Sequence, residues 1–251
     1  MASRDDFYIG YQRQAPAGLG RFLRRVVVAL LLAGSVVAVT LAALQGRFDP
    51  GVFEFGVVRD FEGTIQARPH PLLLVDRPGE GAGEPSRFFL VAAGKHGADA
   101  DIAGLDGRRA RLRGTLIHRQ GQTMVEVVAG SIEAIGVPGA GTGAAIDLGI
   151  QTLRGEIVDS KCYLGVMKPG RGKPHRACAK LCIRGGIPPV LRVVTDSGEY
   201  RHLLLTDEAG GAVNDRVLDL VAEPLEITGR VLRTGDLLML RADPRAIRRL
   251  G

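Results

Sequence analysis

The chain has 251 residues and a formal charge of +6, long enough for one or two domains with a buried core. Hydrophobic residues at 45% and charged residues at 24% exclude general disorder, and 3 cysteines exclude a disulfide-dense scaffold. Glycine contributes 35 residues, about twice its usual share, which favours short strands and tight turns over long helices.

The N-terminal segment holds Arg4, Arg13, Arg21, Arg24 and Arg25 against Asp5 and Asp6. The residues after the first apolar stretch carry 28 basic and 25 acidic side chains. Such a near-balanced surface, with no basic patch interleaved by aromatics, argues against a nucleic-acid partner.

Val26 to Leu44 reads VVVALLLAGSVVAVTLAAL, 19 residues without a charge. At 1.5 Å per residue that crosses a hydrocarbon core of about 30 Å. Arg21, Arg24 and Arg25 precede it, so the positive-inside rule puts residues 1–25 in the cytoplasm and residues 45–251 in the periplasm. The expected location is a bacterial inner membrane, crossed once by residues 26–44. A cleaved signal peptide is the rival reading, weakened by the long acidic-containing n-region and the lack of a small-x-small site near Leu44. The start, Asp5-Asp6-Phe7-Tyr8-Ile9-Gly10-Tyr11, is either a disordered tail or a contact with the inner leaflet or a partner.

Short strands follow, at Glu62–Ala67, Leu72–Val75, Phe88–Ala92, Arg109–His118 and Thr123–Val128. Residues 136–150, rich in glycine, read as a linker. Strands return at Thr152–Val158, Val190–Thr195, Tyr200–Leu205, Leu225–Leu232 and Asp236–Arg241. The halves match in order. Phe61-Glu62-Gly63-Thr64-Ile65 parallels Leu153-Arg154-Gly155-Glu156-Ile157, and Arg113-Gly114-Thr115 parallels Thr228-Gly229-Arg230. A glycine inside a long strand suits a sharp bend at a barrel corner. The expected fold is mainly β: a transmembrane helix, then two tandem OB-like barrels over residues 45–135 and 151–251. Gly63 to Gly114 spans 51 residues and Gly155 to Gly229 spans 74. The extra length is an insertion, residues 159–186, and it holds all three cysteines.

Pro174, Ala177 and Ala179 favour a short helix in that insertion, and Gly185 suits its stop. His175, Cys178 and Cys182 then share one helical face, with Cys162 able to fold over it. Three readings stay open. One is a disulfide from Cys162 to Cys178 or Cys182, closing a loop worth about 3 kcal/mol and leaving one free thiol. Another is a metal site of Cys162, His175, Cys178 and Cys182, a set that suits zinc or copper, with Met167 a further thioether. The last is a reactive thiol activated by Lys161, His175 or the helix N-terminus. Haem attachment is excluded because no C-x-x-C-H occurs, and an iron–sulfur cluster is a minor option. The plainer reading suffices for His70, His96, His118 and His202, scattered over strands and loops. No hydrolase elbow, zincin motif or phosphate loop is present.

Gly155-Glu156-Ile157-Val158-Asp159 with Cys162-Tyr163, His175-Arg176-Ala177-Cys178-Ala179-Lys180-Leu181-Cys182 and Gly185-Gly186-Ile187-Pro188 together resemble a signature of small exported bacterial proteins of unassigned function. The resemblance covers about residues 153–240. It implies a small β-barrel outside the cytoplasmic membrane, with Cys162, His175, Cys178 and Cys182 as the residues to watch. The expected role is a membrane-anchored periplasmic binding or accessory protein, a subunit of a respiratory or metal-handling membrane complex. The alternatives are a thiol-disulfide or metal-dependent redox enzyme and a purely structural module.

Overall fold

The computed structural model describes residues 16–45, 51–76, 84–136, 143–195 and 200–250. The stretch Asp5–Tyr11 and the central part of the expected linker, residues 137–142, lie outside them.

Helix α1 (Ala17–Gln45) forms a unit of its own within residues 1–49. Its span Ala17–Leu44 is long and apolar enough to cross a membrane, a property that a signal sequence shares. The helix begins before the uncharged stretch because arginine and leucine are good helix formers, so Arg21, Arg24 and Arg25 ride on its first turns.

The remaining chain builds two closed five-stranded barrels. The first uses β1 (Val52–Gln66), β2 (Leu72–Val75), β3 (Ser86–Val91), β4 (Arg109–Arg119) and β5 (Gln122–Val127), with β6 (Glu133–Ala134) added to β4. Its order is β1-β2-β3-β5-β4, closed by β1 against β4. The second repeats that order with β7 (Ile146–Asp159), β8 (Pro189–Val194), β9 (Tyr200–Thr206), β11 (Leu237–Arg241) and β10 (Leu225–Thr234); β12 (Arg248–Arg249) extends it as β6 extends the first. Even the single parallel pairing recurs, β3 with β5 and β9 with β11. These are the tandem OB-like barrels that the internal repeat implies.

The repeated glycines do what the pattern suggests. Gly63 and Gly155 each sit where the first strand passes from one neighbour to the other. A Cβ at Gly63 would lie 2.2 Å from the Leu74 carbonyl oxygen, and one at Gly155 would lie 2.2 Å from that of Arg192. Only a bare backbone permits this approach.

Two boundaries differ from expectation. Strand β1 starts ten residues before Glu62, and its first half pairs with β4 while exposing Phe55, Val57 and Val58. Strand β7 starts at Ile146, inside the stretch expected as linker, because Ile146 and Asp147 pair with Arg233 and Leu232 of β10. Neither segment shows a clean apolar–polar alternation, and cross-strand hydrogen bonds decide them in the fold.

Each barrel has its own core, one around Ile65, Leu90 and Leu112, the other around Ile157, Leu203 and Val231. A third core lies between the barrels. It joins Leu72, Phe89, Ile117 and Met124 of the first to Val158, Val190, Leu204 and Leu237 of the second. Cys162, Tyr163, Leu164 and Cys182 of the insertion complete it. The cysteine segment is therefore buried at the junction, not draped over one barrel.

Candidate metal centre

The insertion leaves β7 at Asp159, turns through a π-helical stretch at Cys162–Val166, and returns through a 3-10 turn at Lys173–His175 into α2 (Arg176–Arg184). Helix α2 follows from its alanine, lysine, leucine and arginine content and stops at Gly185. Ala179, Cys182 and Ile183 face inward. On the outer side Arg176 pairs with Glu223, and Lys180 Nζ reaches Asp219 Oδ1 at 3.0 Å. Asn214 Nδ2 donates to the carbonyls of Ile183 (2.7 Å) and Ile187 (3.0 Å), satisfying groups at the helix end.

Asp159 ties the two ends of the insertion together. It is fully buried, and its Oδ1 accepts the backbone N–H of Cys162 at 2.8 Å. Its Oδ2 lies 2.9 Å from Nε2 of His175, itself buried. Cys162 and His175, 13 positions apart in sequence, are thus set by one carboxylate.

The three sulfurs converge. Those of Cys162, Cys178 and Cys182 all lie within 4.8 Å of one another. All three cysteines are free, and the Cys162 and Cys182 sulfurs stand 4.0 Å apart, about twice a disulfide bond length. An ion with bonds of about 2.3 Å to sulfur, in tetrahedral geometry, sets its thiolates about 3.8 Å apart. The observed separation suits an ion between the sulfurs, and the disulfide expected as one reading has no bond geometry here. His175 falls in a second group, with Asp159 and Cys162, whose ligand atoms also lie within 4.8 Å of one another. The four residues expected as one ligand set are therefore divided into two overlapping triads that share Cys162. Met167 is 44% exposed at the end of the π turn.

The electrostatics of the thiols are asymmetric. Cys162 is pushed well up, by its hydrogen bond to Cys182, by burial and by the Asp159 charge. Cys182 is pulled down, because it accepts that hydrogen bond and lies near Lys95. Cys178 is half-buried, and Lys95 Nζ donates to its sulfur at 2.8 Å. That bond raises the lysine and keeps it cationic.

Lys95 belongs to the first barrel, and sequence reasoning missed it. It lies 83 positions from Cys178, in a turn of no distinctive composition. Lys161 was expected near a thiol, yet it is committed elsewhere. Its Nζ is 2.8 Å from the carbonyls of both Ala92 and Gly94 and 2.5 Å from Glu126 Oε2. A buried ammonium needs such partners, and all three are on the first barrel. Lys161 is thus a bolt between barrels, and Lys95 takes the place beside sulfur.

Behind the cysteines, Tyr163 is buried with the Arg119 guanidinium 4.5 Å above its ring. The Tyr163 hydroxyl meets Arg192 Nε and His202 Nε2, each at 3.2 Å. Burial, with Arg119 and Arg192 nearby, pushes His202 down to about 4. Burial alone does the same to His70, whose Nε2 has no hydrogen-bond partner among the described residues.

No protein-family model and no curated protein matches the chain. Among solved structures it is similar to a deletion mutant of the single-stranded DNA binding protein from Thermus aquaticus, at 16% identity and a TM-score of 0.23. That match covers 81% of this chain and 97% of the other. A superposition that loose carries no argument about ligand or role.

Proposed function

We propose that this protein is a membrane-anchored accessory protein that holds a transition-metal ion at the junction of two barrels outside the cytoplasmic membrane. The observation that carries the metal is the convergence of three free cysteine sulfurs within 4.8 Å, from a π turn and a helix brought together by one buried carboxylate. Three soft ligands suit zinc or Cu(I). The apolar helix Ala17–Leu44 and the arginines on its first turns support the anchor and its orientation. In this reading the ion is held for a partner in a membrane complex, which recognises the outer faces of the barrels.

The test is metal content and free-thiol count on the full chain, purified anaerobically in detergent. At least one equivalent of zinc or copper, lost in Cys182→Ala, supports the reading. A chain with no bound metal, and none taken up on titration, overturns it.

One observation favours a second reading. Lys95 donates to the half-buried Cys178, so one partly accessible sulfur has an ammonium and two more thiols beside it. A thiol-disulfide activity would use Cys178 as the attacking group. Metal-free protein that exchanges disulfides with a small substrate, and loses this in Cys178→Ser, would favour that role over metal holding.

A further inference from the structure

The two overlapping triads carry a sharper statement, one that rests on the metal reading. We infer that the centre takes two divalent ions of the zinc class, bridged by the Cys162 thiolate. One ion lies among Cys162, Cys178 and Cys182, the other among Asp159, Cys162 and His175.

Three features lead there. The first is connectivity: Cys162 is the only residue common to both groups, and a thiolate has lone pairs enough for two ions. The second is donor type. The sulfur triad is uniformly soft. The other offers one carboxylate oxygen, one sulfur and one imidazole nitrogen, all ordinary zinc ligands. Each triad supplies three protein ligands and leaves a fourth position open, the pattern of reactive rather than closed structural sites. The third is charge. Three thiolates and one carboxylate bring four negative charges into a site where Cys162, Cys182, Asp159 and His175 are all nearly inaccessible. Buried charges must be compensated; the Lys95 ammonium beside Cys178 offsets one, and the three that remain exceed what a single divalent ion cancels.

Distance is compatible too. Asp159 Oδ2 and His175 Nε2 stand 2.9 Å apart, bridged by a hydrogen. An ion with bonds of about 2.1 Å to each needs them about 3.4 Å apart in tetrahedral geometry. A separation of about half an ångström replaces the hydrogen by a cation. Ligand sets like this one bind metal with displacement of protons.

The experiment is an anaerobic Co(II) titration of the full-length protein, followed by sulfur-to-cobalt charge-transfer absorption and magnetic susceptibility. Two equivalents are expected to bind. The first gives an isolated ion; the second gives a spin-coupled pair through the shared sulfur. His175→Gln is expected to bind one equivalent, with charge-transfer absorption retained. If wild-type protein binds one ion and His175→Gln behaves identically, the two-ion inference is wrong and the single-ion reading stands. Two ions without spin coupling also overturn it, since no thiolate bridges them. No cobalt bound overturns the metal reading itself. Should His175→Gln fail to fold, the wild-type stoichiometry and coupling decide alone.

Discussion

Lys95 of the first barrel donates to the sulfur of Cys178 in the second at 2.8 Å, so a barrel without cysteines supplies a cation to the cysteine site. An outer partner of this kind orients a ligand and holds its charge. Lys95→Met is expected to weaken metal binding roughly tenfold while leaving the fold intact, because the lysine is exposed. Competition against a chromophoric chelator measures it; an unchanged affinity would remove Lys95 from the site.

Thiol accessibility should follow burial. In folded, metal-free protein, Cys178 is expected to react with a thiol reagent first, with Cys162 and Cys182 reacting only on unfolding. Metal should protect all three. Time-resolved mass spectrometry of alkylated peptides reads the order directly, and fast labelling of Cys162 would contradict the buried placement.

Lys161→Met tests the bolt between the barrels. The substitution keeps most of the unbranched chain but strands Glu126 and two carbonyls that the ammonium satisfied. Removing one partner of a buried charged network costs about 3 kcal/mol. A drop in the unfolding midpoint is expected in denaturant titration, along with weaker metal binding as the junction loosens. A midpoint unchanged from wild type would show that Lys161 adds nothing net.

Gly185→Ala should act on the same junction by crowding. A Cβ there would stand 1.9 Å from the Lys95 carbonyl oxygen, and Gly185 O also accepts the N–H of Gly97 at 2.9 Å. Forcing these backbones apart costs about 1–3 kcal/mol. It also withdraws Lys95 from Cys178, so metal affinity should fall together with stability. Thermal melts and a chelator competition on the same sample check the pairing.

Acid should destabilise the metal-free protein through His70 and His202. Both are buried and held near 4 in the folded state, against 6.5 when exposed. The unfolded chain therefore binds more protons, and stability falls as pH drops from about 6.5 toward 4. Each histidine contributes about 2.5 kcal/mol of loss by pH 4.5. His70→Gln is expected to flatten the slope of stability against pH across that window, without flattening it above pH 7.

Much of this architecture is legible in the residues alone. Gly63 with Gly155 and Gly114 with Gly229 mark a duplicated barrel, because a glycine within a long strand records where backbones nearly touch. The insertion stands out as excess length between matching strands, and its cysteines as the one dense set of reactive side chains. Asp159 was visible beside Cys162, but its grip on His175 was not, since nothing in linear spacing says that one carboxylate faces both. The starts of β1 and β7 were missed because glycine and exposure disguise strands that only their partners define.

Local sequence determined the apolar helix, the paired barrels and which cysteines form the dense reactive segment, all of which depend on composition and short-range pattern. Tertiary structure alone decided that the cysteines sit between the barrels, that Lys95 rather than Lys161 meets them, and that His175 belongs with Asp159. Those outcomes depend on how a third core closes between two folded sheets. A contact across 83 positions leaves no periodicity for a sequence to display.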